Sequence, residues 1–332
     1  MLSVVVPIYN EEENIFPFHA ALGAALESIH EPAEVVFVND GSRDSSLERL
    51  LQIQGRDPRV TVVELSRNFG HQSALTAGLS VARGDAVVLM DGDFQDPPEV
   101  LPRLVETWKS GAKVVIANRT SRADKGLRGK LFPLFYRLMG WLSDFPIPIN
   151  AGIFGLLDRR AVDALNRLHE GNRYLPGMRA WIGFPTAFVW YDRADRAAGE
   201  PKQTFLRLCK YAMDAIFSFS YKPLRLGMAL GGLVLAFSFF MSLVAIGNVF
   251  FGLKYFGIVP GAGHIGTMLA ILYLGSIQLI CVGLLGEYIG RIYDEVRRRP
   301  LFLIHQVYQG RGAKSSGADV EHELRKIESS AA

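Results

Sequence analysis

The stretch AVVLMDGDFQDPPE, residues 86–99, joins an apolar run to a turn that carries three aspartates and two prolines. A short valine-rich run is typical of a buried strand, and proline suits the first turn of a helix. Strand, polar turn and helix in this order form part of a βαβ unit. The sequence therefore predicts a strand at Ala86–Met90, an acidic turn at its carboxyl end and a helix to about Ser110.

The same alternation extends on both sides of this stretch. Further predicted strands are Ser3–Pro7, Glu34–Asn39, Val60–Leu65 and Lys113–Ala117, and further predicted helices cover Asn10 to about His30, Asp44–Gln54 and Gly70–Ala82. Alternating strands and helices predict an α/β fold with a mostly parallel sheet, in which ligands bind beyond the carboxyl ends of the strands. Polar groups follow four of the predicted strands, in Tyr9-Asn10-Glu11, Asn39-Asp40-Gly41, Asp91-Gly92-Asp93 and Asn118-Arg119. We expect a binding cleft there.

The charge and cysteine patterns exclude several classes of partner. The net charge of the 332-residue chain is only +3, and its basic residues cluster beside apolar segments, in Lys125–Lys130, Lys202–Lys222 and Arg291–Arg299. This pattern favours anionic lipid head groups over nucleic acid. The two cysteines, Cys209 and Cys281, have no metal-type spacing, and we expect no disulfide framework.

Two apolar segments near the C-terminus are predicted to span a membrane as a hairpin. Leu226–Phe251 and Ile265–Tyr288 are each long enough to cross a bilayer, and the basic residues lie outside the pair. The chain starts with a strand-like run, Leu2–Val6, and we expect no signal peptide before it. We therefore expect a multi-pass protein of the inner (cytoplasmic) membrane, with its α/β domain and both termini in the cytoplasm.

These patterns give a predicted domain organisation. A cytoplasmic domain covers 1–204, a juxtamembrane amphipathic helix 205–222, the transmembrane hairpin 223–290, and a basic, partly flexible tail 291–332. A second basic amphipathic segment, 126–148, is predicted either to lie in the membrane interface or to pack on the soluble core.

The acidic turn is the strongest chemical signal. Asp91 and Asp93 flank one small residue directly after an apolar strand, and carboxylate oxygens are the ligands that divalent Mg²⁺ prefers. Gln95 offers a further oxygen. A cation at this turn would neutralise charge on a departing nucleoside diphosphate. Such a turn also occurs on many surfaces, so its meaning depends on the motifs around it.

The turn belongs to the last of four motifs that follow one another along the chain. They are Val5-Val6-Pro7-Ile8-Tyr9-Asn10-Glu11-Glu12, Val38-Asn39-Asp40-Gly41-Ser42-Arg43-Asp44, Phe69-Gly70-His71-Gln72-Ser73-Ala74 and Asp91 through Glu99. The set resembles the family 2 glycosyltransferases, in the branch that includes dolichol-phosphate mannose synthases and bacterial lipid-linked glucosyl and aminoarabinosyl transferases. The resemblance extends to about residue 300 and includes Gly286-Glu287-Tyr288-Ile289-Gly290-Arg291.

The resemblance implies a GT-A type nucleotide-sugar-binding domain. Pro7, Tyr9, Asn10, Glu11 and Asp91 would line the nucleotide pocket, and Asp40 would bind the base or ribose. Asp91, Asp93 and Gln95 would hold Mg²⁺ or Mn²⁺ with the diphosphate. Arg119 and Lys202 match basic positions that approach the phosphates, so Asp93, Arg119 and Lys202 are the implied catalytic residues.

The implied reaction is an inverting transfer from a nucleoside-diphosphate sugar to polyprenyl phosphate at the lipid bilayer. A UDP-sugar is favoured over a GDP-sugar as donor. A homo-oligomer is expected, because some members of the family are tetramers and because the apolar segments are rich in glycine, which lets helices pack closely. His71 is interpreted as a helix-start cap or a structural hydrogen-bonding residue in preference to a general base.

One stretch departs from the family pattern. Lipid-phosphate glucosyltransferases carry Gly-Asp-Phe-Arg-Leu where this chain has Gly152-Ile153-Phe154-Gly155-Leu156. We expect transfer without that aspartate, because a phosphate acceptor is already anionic and catalysis can rest on positioning and charge neutralisation. The departure leaves the sugar open. It also keeps open a non-catalytic nucleotide-sugar-binding scaffold, and a processive polysaccharide synthase is the other alternative. A transporter is disfavoured by the small number of predicted spans.

Overall fold

The computed structural model describes residues 1–119, 151–168, 170–171, 173–191, 222–251 and 263–309. The strands are β1 (Leu2–Ile8), β2 (Ala33–Asn39), β3 (Val60–Leu65), β4 (Ala86–Leu89), β5 (Val114–Arg119), β6 (Ala151–Asp158), β7 (Thr186–Tyr191) and β8 (Ile304–Tyr308). The helices are α1 (Ile15–Ile29), α2 (Ser46–Gln54), α3 (His71–Val81), α4 (Leu101–Lys109), α5 (Arg159–Asn166), α6 (Leu175–Trp181), α7 (Lys222–Phe251) and α8 (Gly263–Val296), with a 3₁₀ turn at Pro98–Val100.

The eight strands form one sheet in the order β7-β5-β6-β4-β1-β2-β3-β8. Four of the seven neighbouring pairs are parallel, and only β6 and β8 run against their neighbours. The predicted α/β fold with a mostly parallel sheet is confirmed. Because the other six strands point the same way, their carboxyl ends meet at one edge, where the polar loops follow.

Apolar side chains from both faces of the sheet form the core. On β1, Val4 and Val6 pack on one side with α1 and α4, while Val5 packs on the other with α3 and α5. This two-sided burial explains why the strands are almost continuous runs of valine, isoleucine and leucine, as expected for a sheet covered on both faces.

The last strand was not anticipated by the sequence pattern. β8 lies within the segment assigned to the basic tail, yet it pairs antiparallel with β3 and becomes an edge of the sheet. The C-terminal end of α8 contacts the domain as well, because the Glu295 carboxylate accepts the backbone N–H of Gly171 at 3.0 Å. The chain therefore returns from α8 to the sheet.

Both apolar segments near the C-terminus are helical. α7 and α8 include the two predicted spans in full, and the described side chains in the middle of both helices are mostly exposed. Within the part of the chain that the structure describes, one stretch, Tyr273–Val296, is long and apolar enough to cross a membrane, with a mean hydropathy of 1.3. The two-span hairpin and the multi-pass topology stay predictions.

Candidate active site

The loops after β1 and β2, residues 9–14 and 40–45, are joined by hydrogen bonds and are called here the paired loops. The N–H of Asn10 donates to Ser42 Oγ at 3.1 Å, and Asn10 Oδ1 accepts the N–H of Arg43 at 2.8 Å. The N–H of Glu11 donates to the hydroxyl of Ser46 at 3.1 Å. Asn10 has a φ of 53°, a left-handed conformation that asparagine tolerates better than most residues. These bonds fix the backbone of both loops.

Asp40 connects the second of these loops to the start of α3. Its carboxylate is 3% exposed and accepts the N–H groups of Phe69 at 2.7 Å and Gly70 at 3.0 Å. Burial raises the pKa of Asp40 above its usual value, although the two N–H donors act in the opposite direction. Gly41 follows with a φ of 62°, and a Cβ there would lie 2.5 Å from the Arg67 carbonyl carbon. The turn therefore requires glycine.

A pocket opens between the paired loops and α3. Its lining residues are Pro7, Ile8, Tyr9, Asp40, Asn68, Gly70 and His71. Of the residues predicted to line a nucleotide pocket, Pro7, Tyr9 and Asp40 are thus brought together, and the Tyr9 side chain is well exposed. Asn10 and Glu11 lie next to the pocket, where backbone hydrogen bonds join them to the loop after β2 and to the start of α2.

The loop after β4, residues 91–96, is called here the acidic loop. Gly92 packs against β1, since a Cβ there would lie 2.7 Å from Ile8 Cδ1 and 3.2 Å from Val6 Cγ1. Phe94 has a φ of 61° and packs edge to face on Phe18, with ring centroids 5.6 Å apart. A bulky residue in a left-handed conformation is unusual and persists only where its surroundings hold it.

At the predicted metal site, the side chains of Asp91 and Asp93 are more exposed than that of Gln95. Asp93 Oδ1 accepts the N–H of Gln95 at 3.0 Å, and the side chain of Asp91 is 35% exposed. Gln95 itself is 9% exposed and is a less accessible oxygen donor than the two aspartates. Among the described residues, no group of three histidine, cysteine, aspartate or glutamate side chains is close enough to hold an ion by itself. The donor set is two carboxylates, which suits a hard divalent cation that takes further oxygens from a bound ligand.

His71 connects the pocket to the acidic loop. Its Nε2 lies 3.3 Å from Asp91 Oδ1. Loss of hydration lowers the pKa of His71, against the opposing effect of the Asp40 and Asp93 carboxylates. His71 is the first residue of α3 and no side-chain cap is formed there. Of the two interpretations from sequence, the structure thus shows the polar contact and not the cap.

The stretch that departs from the family pattern lies in β6. Ile153 is half-buried and packs against the core cluster around α3 and α5. Gly155 lies against β5, where a Cβ would be 2.4 Å from the Val115 carbonyl oxygen, so an arginine does not fit there without movement of the strand. The backbone carbonyls of Gly152 and Ile153 accept hydrogen bonds from Arg179 at 2.8 and 3.2 Å. Burial lowers the pKa of Arg179 to about 10, so the guanidinium keeps its charge at neutral pH.

Of the two basic residues predicted to act on the phosphates, the structure describes only Arg119. Arg119 is the last residue of β5, and its backbone is in register with Tyr191 of β7, which brings it to the carboxyl edge of the sheet. Lys202 lies outside the described residues, as do the segment 126–148 and nearly all of the juxtamembrane segment 205–222.

Sequence reasoning missed a hydrogen bond between Asp96 of the acidic loop and Tyr191 of β7. Asp96 is 2% exposed and accepts the hydroxyl of Tyr191 at 2.9 Å, and Tyr191 is 5% exposed. Asp96 lies within the acidic motif, so its residue type was a usable signal. Tyr191 ends an ordinary aromatic strand far along the chain, and nothing in the sequence linked it to the loop.

Comparison with known proteins gives consistent matches. The model of "Glycosyl transferase family 2" matches residues 3–165. The chain is similar to a prophage-derived bactoprenol glucosyl transferase of Shigella flexneri, with 40% identity over 93% of this chain and 99% of that protein. It is also similar to an uncharacterized glycosyltransferase of Synechocystis, with 38% identity over 92% and 95% of the two chains. A mannosyltransferase from Pyrobaculum calidifontis, solved with GDP-mannose and Mn²⁺, is 16% identical over 90% and 86%, with a TM-score of 0.44.

Proposed function

The chain belongs to glycosyl transferase family 2, and from that premise we propose that it transfers a sugar from a nucleoside diphosphate to polyprenyl phosphate. It has a GT-A-like α/β fold, in which the paired loops and the acidic loop meet at one sheet edge. The observation that carries the proposal is full-length similarity to relatives named bactoprenol glucosyl transferases, four of which are 40% identical over at least 91% of this chain. Their names support a polyprenyl phosphate acceptor.

The pocket beside the paired loops is the proposed nucleotide site. The exposed ring of Tyr9 offers a surface for the base, with Pro7 beside it in the pocket wall. Asp40 is held in place by two backbone N–H groups, which leaves it suited to bind the base or ribose. Asn10 and Glu11 keep the loop in shape through their bonds to the second loop and to the start of α2. A UDP-sugar is the proposed donor, in preference to a GDP-sugar.

The acidic loop is the proposed site for Mg²⁺ or Mn²⁺. Asp91 and Asp93 supply hard oxygens, and Gln95 is a third donor only if its largely buried amide turns outward. A bound cation would supply charge neutralisation for the diphosphate leaving group. His71 lines the nucleotide pocket and lies 3.3 Å from Asp91 Oδ1, so it links that pocket to the acidic loop.

The chain's own residues then position the reactants. In the proposed inverting displacement, an oxygen of the lipid phosphate forms the new bond to the anomeric carbon. The bond from that carbon to the nucleoside diphosphate breaks, and its electron pair leaves with the diphosphate. The acceptor oxygen carries no proton to remove at neutral pH, so the apolar Ile153 does not interrupt the reaction. Arg119 and Lys202 are proposed to stabilise charge on the phosphates.

The apolar helices are proposed to hold this site at the cytoplasmic face of the inner membrane. We assign α7 and α8 as a hairpin with both ends in the cytoplasm, which accords with the basic residues outside the pair. The segments 126–148 and 205–222 would lie at the interface. The bond from Glu295 to Gly171 and the pairing of β8 with β3 support a fixed distance between membrane and site. Open faces at Gly231, Gly275 and Gly283 support packing with other copies, as a tetramer.

The experiment is a transfer assay with purified full-length protein in detergent. Radiolabelled UDP- and GDP-sugars are offered singly with polyprenyl phosphate and Mn²⁺, and label is counted in the organic phase. Polyprenol without the phosphate is the matched control acceptor. The proposal expects label in lipid from one donor and only with the phosphorylated acceptor. Label that appears in a long water-soluble polymer instead would favour a polysaccharide synthase.

A further inference from the structure

Asp96 differs from the other two aspartates of the acidic loop because it points into the protein. It is 2% exposed, whereas the Asp91 side chain is 35% exposed. One oxygen of Asp96 accepts the Tyr191 hydroxyl at 2.9 Å, and the other accepts the backbone N–H of Asp91 at 3.4 Å. The carboxylate therefore bridges the first residue of the acidic loop and the last residue of β7.

The side chain of Tyr191 is buried and held in place by packing. Its ring packs edge to face on Phe154 of β6, with centroids 5.5 Å apart and planes at 86°. In the sheet, β6 and β5 separate β7 from β4, the strand that precedes the acidic loop. The hydroxyl thus ties the loop to a strand three positions away in the sheet.

Stability alone gives a poor reason for a buried carboxylate at this position. Removal of a charged group from water is costly, and an apolar residue of similar size is often as stabilising. The acidic loop, however, has to hold Phe94 at a φ of 61° while Gly92 lies tightly against β1. Such a backbone persists when several contacts determine it together. The Asp96 bridge is one of those contacts, and it acts on the backbone of a proposed metal ligand.

We propose that Asp96 and Tyr191 are positioning residues that set the acidic loop so that Asp91 and Asp93 present their carboxylates to a divalent cation. This inference rests on the proposed function, because it concerns the same cation site. Groups that orient metal ligands in this way change metal affinity by about 10–100-fold when they are removed.

Tyr308 provides a matched control. Its hydroxyl donates to the Glu64 carboxylate at 3.0 Å, between β8 and β3 at the opposite edge of the same sheet. Tyr191→Phe and Tyr308→Phe therefore each remove one tyrosine–carboxylate hydrogen bond and keep the ring. Only the first bond reaches the acidic loop.

The test measures Mn²⁺ binding by electron paramagnetic resonance of the free ion, with full-length protein and UDP present, beside thermal unfolding of each variant. We expect Tyr191→Phe to raise the Kd for Mn²⁺ by about 10-fold and Tyr308→Phe to leave it unchanged. Transfer by Tyr191→Phe should recover when Mn²⁺ is raised to saturation. Equal Mn²⁺ affinity in Tyr191→Phe and the parent protein would overturn the inference. Absence of Mn²⁺ binding by the parent protein would instead overturn the proposed cation site, and the inference with it.

Asp96→Asn gives a second, independent measurement. The variant keeps the size of the side chain but replaces one of the two acceptor oxygens with an NH₂ group, which cannot accept, so it should also weaken Mn²⁺ binding. If the two residues act as one unit, the double variant with Tyr191→Phe is no worse than the worse single variant. A Kd raised by the product of the two single effects would show that they act separately and would overturn the pairing.

Discussion

The paired loops and the acidic loop meet at the same sheet edge but are held in different ways. The paired loops are tied to each other through exposed or half-buried hydrogen bonds, such as those of Asn10 with Ser42 and Arg43. The acidic loop is held from beneath, by the packing of Gly92 on β1 and of Phe94 on Phe18. Several weak hydrogen bonds together hold the paired loops, whereas a few close packing contacts hold the acidic loop.

The two loops should therefore differ in how well they tolerate substitutions. A hydrogen bond contributes about 1 kcal/mol net, so loss of one bond between the paired loops leaves the others to hold the shape. A close-packed backbone has no such reserve, because an added methyl group must displace its neighbours. We therefore expect graded effects on donor binding from the paired loops and large effects on transfer from the acidic loop.

Asp93→Asn should have the largest effect. Loss of the negative charge that faces the proposed cation is expected to lower the rate of transfer by on the order of 10³-fold, the size seen when one charge-stabilising group is removed. UDP binding without metal should change little. The measurement is initial rate by label in lipid, with Asp163→Asn, an exposed aspartate on α5, as control. Equal loss in the control would point to a general charge effect.

Gly92→Ala tests the tight packing of the acidic loop. A Cβ 2.7 Å from Ile8 Cδ1 forces that terminal methyl group to move, so the substitution should cost about 1–2 kcal/mol of stability and should lower transfer as the loop moves. Chemical denaturation and the transfer rate are measured together. Gly23→Ala is the matched control, because its nearest neighbour lies 4.0 Å from the new Cβ. A Gly92→Ala protein as stable and active as its parent would remove the distinction between the loops.

Asp57→Asn provides a reference outside both loops. Hydrogen bonds from Arg59 lower the pKa of Asp57 to about 2, from a usual value of 3.8. A lowered pKa stabilises the fold above pH 3.8, and that contribution disappears as the pH falls toward 2. We expect the variant to lose about 2 kcal/mol at pH 7, with the difference vanishing in acid, and to keep its transfer rate. A large loss of activity would mean that transfer depends on the overall stability of the fold and not only on the two loops.

Asn10→Gly should have the smallest effect. Glycine keeps the left-handed backbone, with its φ of 53°, but removes the acceptor for the N–H of Arg43. Loss of about 1 kcal/mol corresponds to a donor KM raised about fivefold, with little change in maximal rate. Asn10→Ala should be worse, since alanine adds backbone strain. If the two variants raised KM equally, the conformation at this position would not matter.

Much of the fold could be predicted because the signals are local. Valine-rich strands, helix-starting prolines and polar turns gave the first five strands and the sheet type, since each depends on a short window. β8 could not be predicted in the same way. Its partner β3 is more than two hundred residues away, and Ile304–Tyr308 has no regular alternation of apolar residues.

The site residues also divide into those that local sequence predicts and those that depend on contacts with distant parts of the chain. Asp40, Asp91 and Asp93 could be selected from sequence because they directly follow strands whose carboxyl ends share an edge. Asp96 looked like one more polar residue of the motif, and its inward direction depends on Tyr191, which arrives from a strand that forms much later in the chain. Gln95, although predicted as a metal ligand, is largely buried, because burial is decided by packing that a motif does not encode.

The most direct test of the account is whether transfer to the lipid requires a divalent cation at the acidic loop. Purified full-length protein is treated with chelator, and the transfer of labelled sugar from its donor to polyprenyl phosphate is followed as Mn²⁺ is returned. We predict no labelled lipid without metal and a saturable recovery of transfer when Mn²⁺ is added. Transfer that proceeds at the same rate in chelator would contradict it.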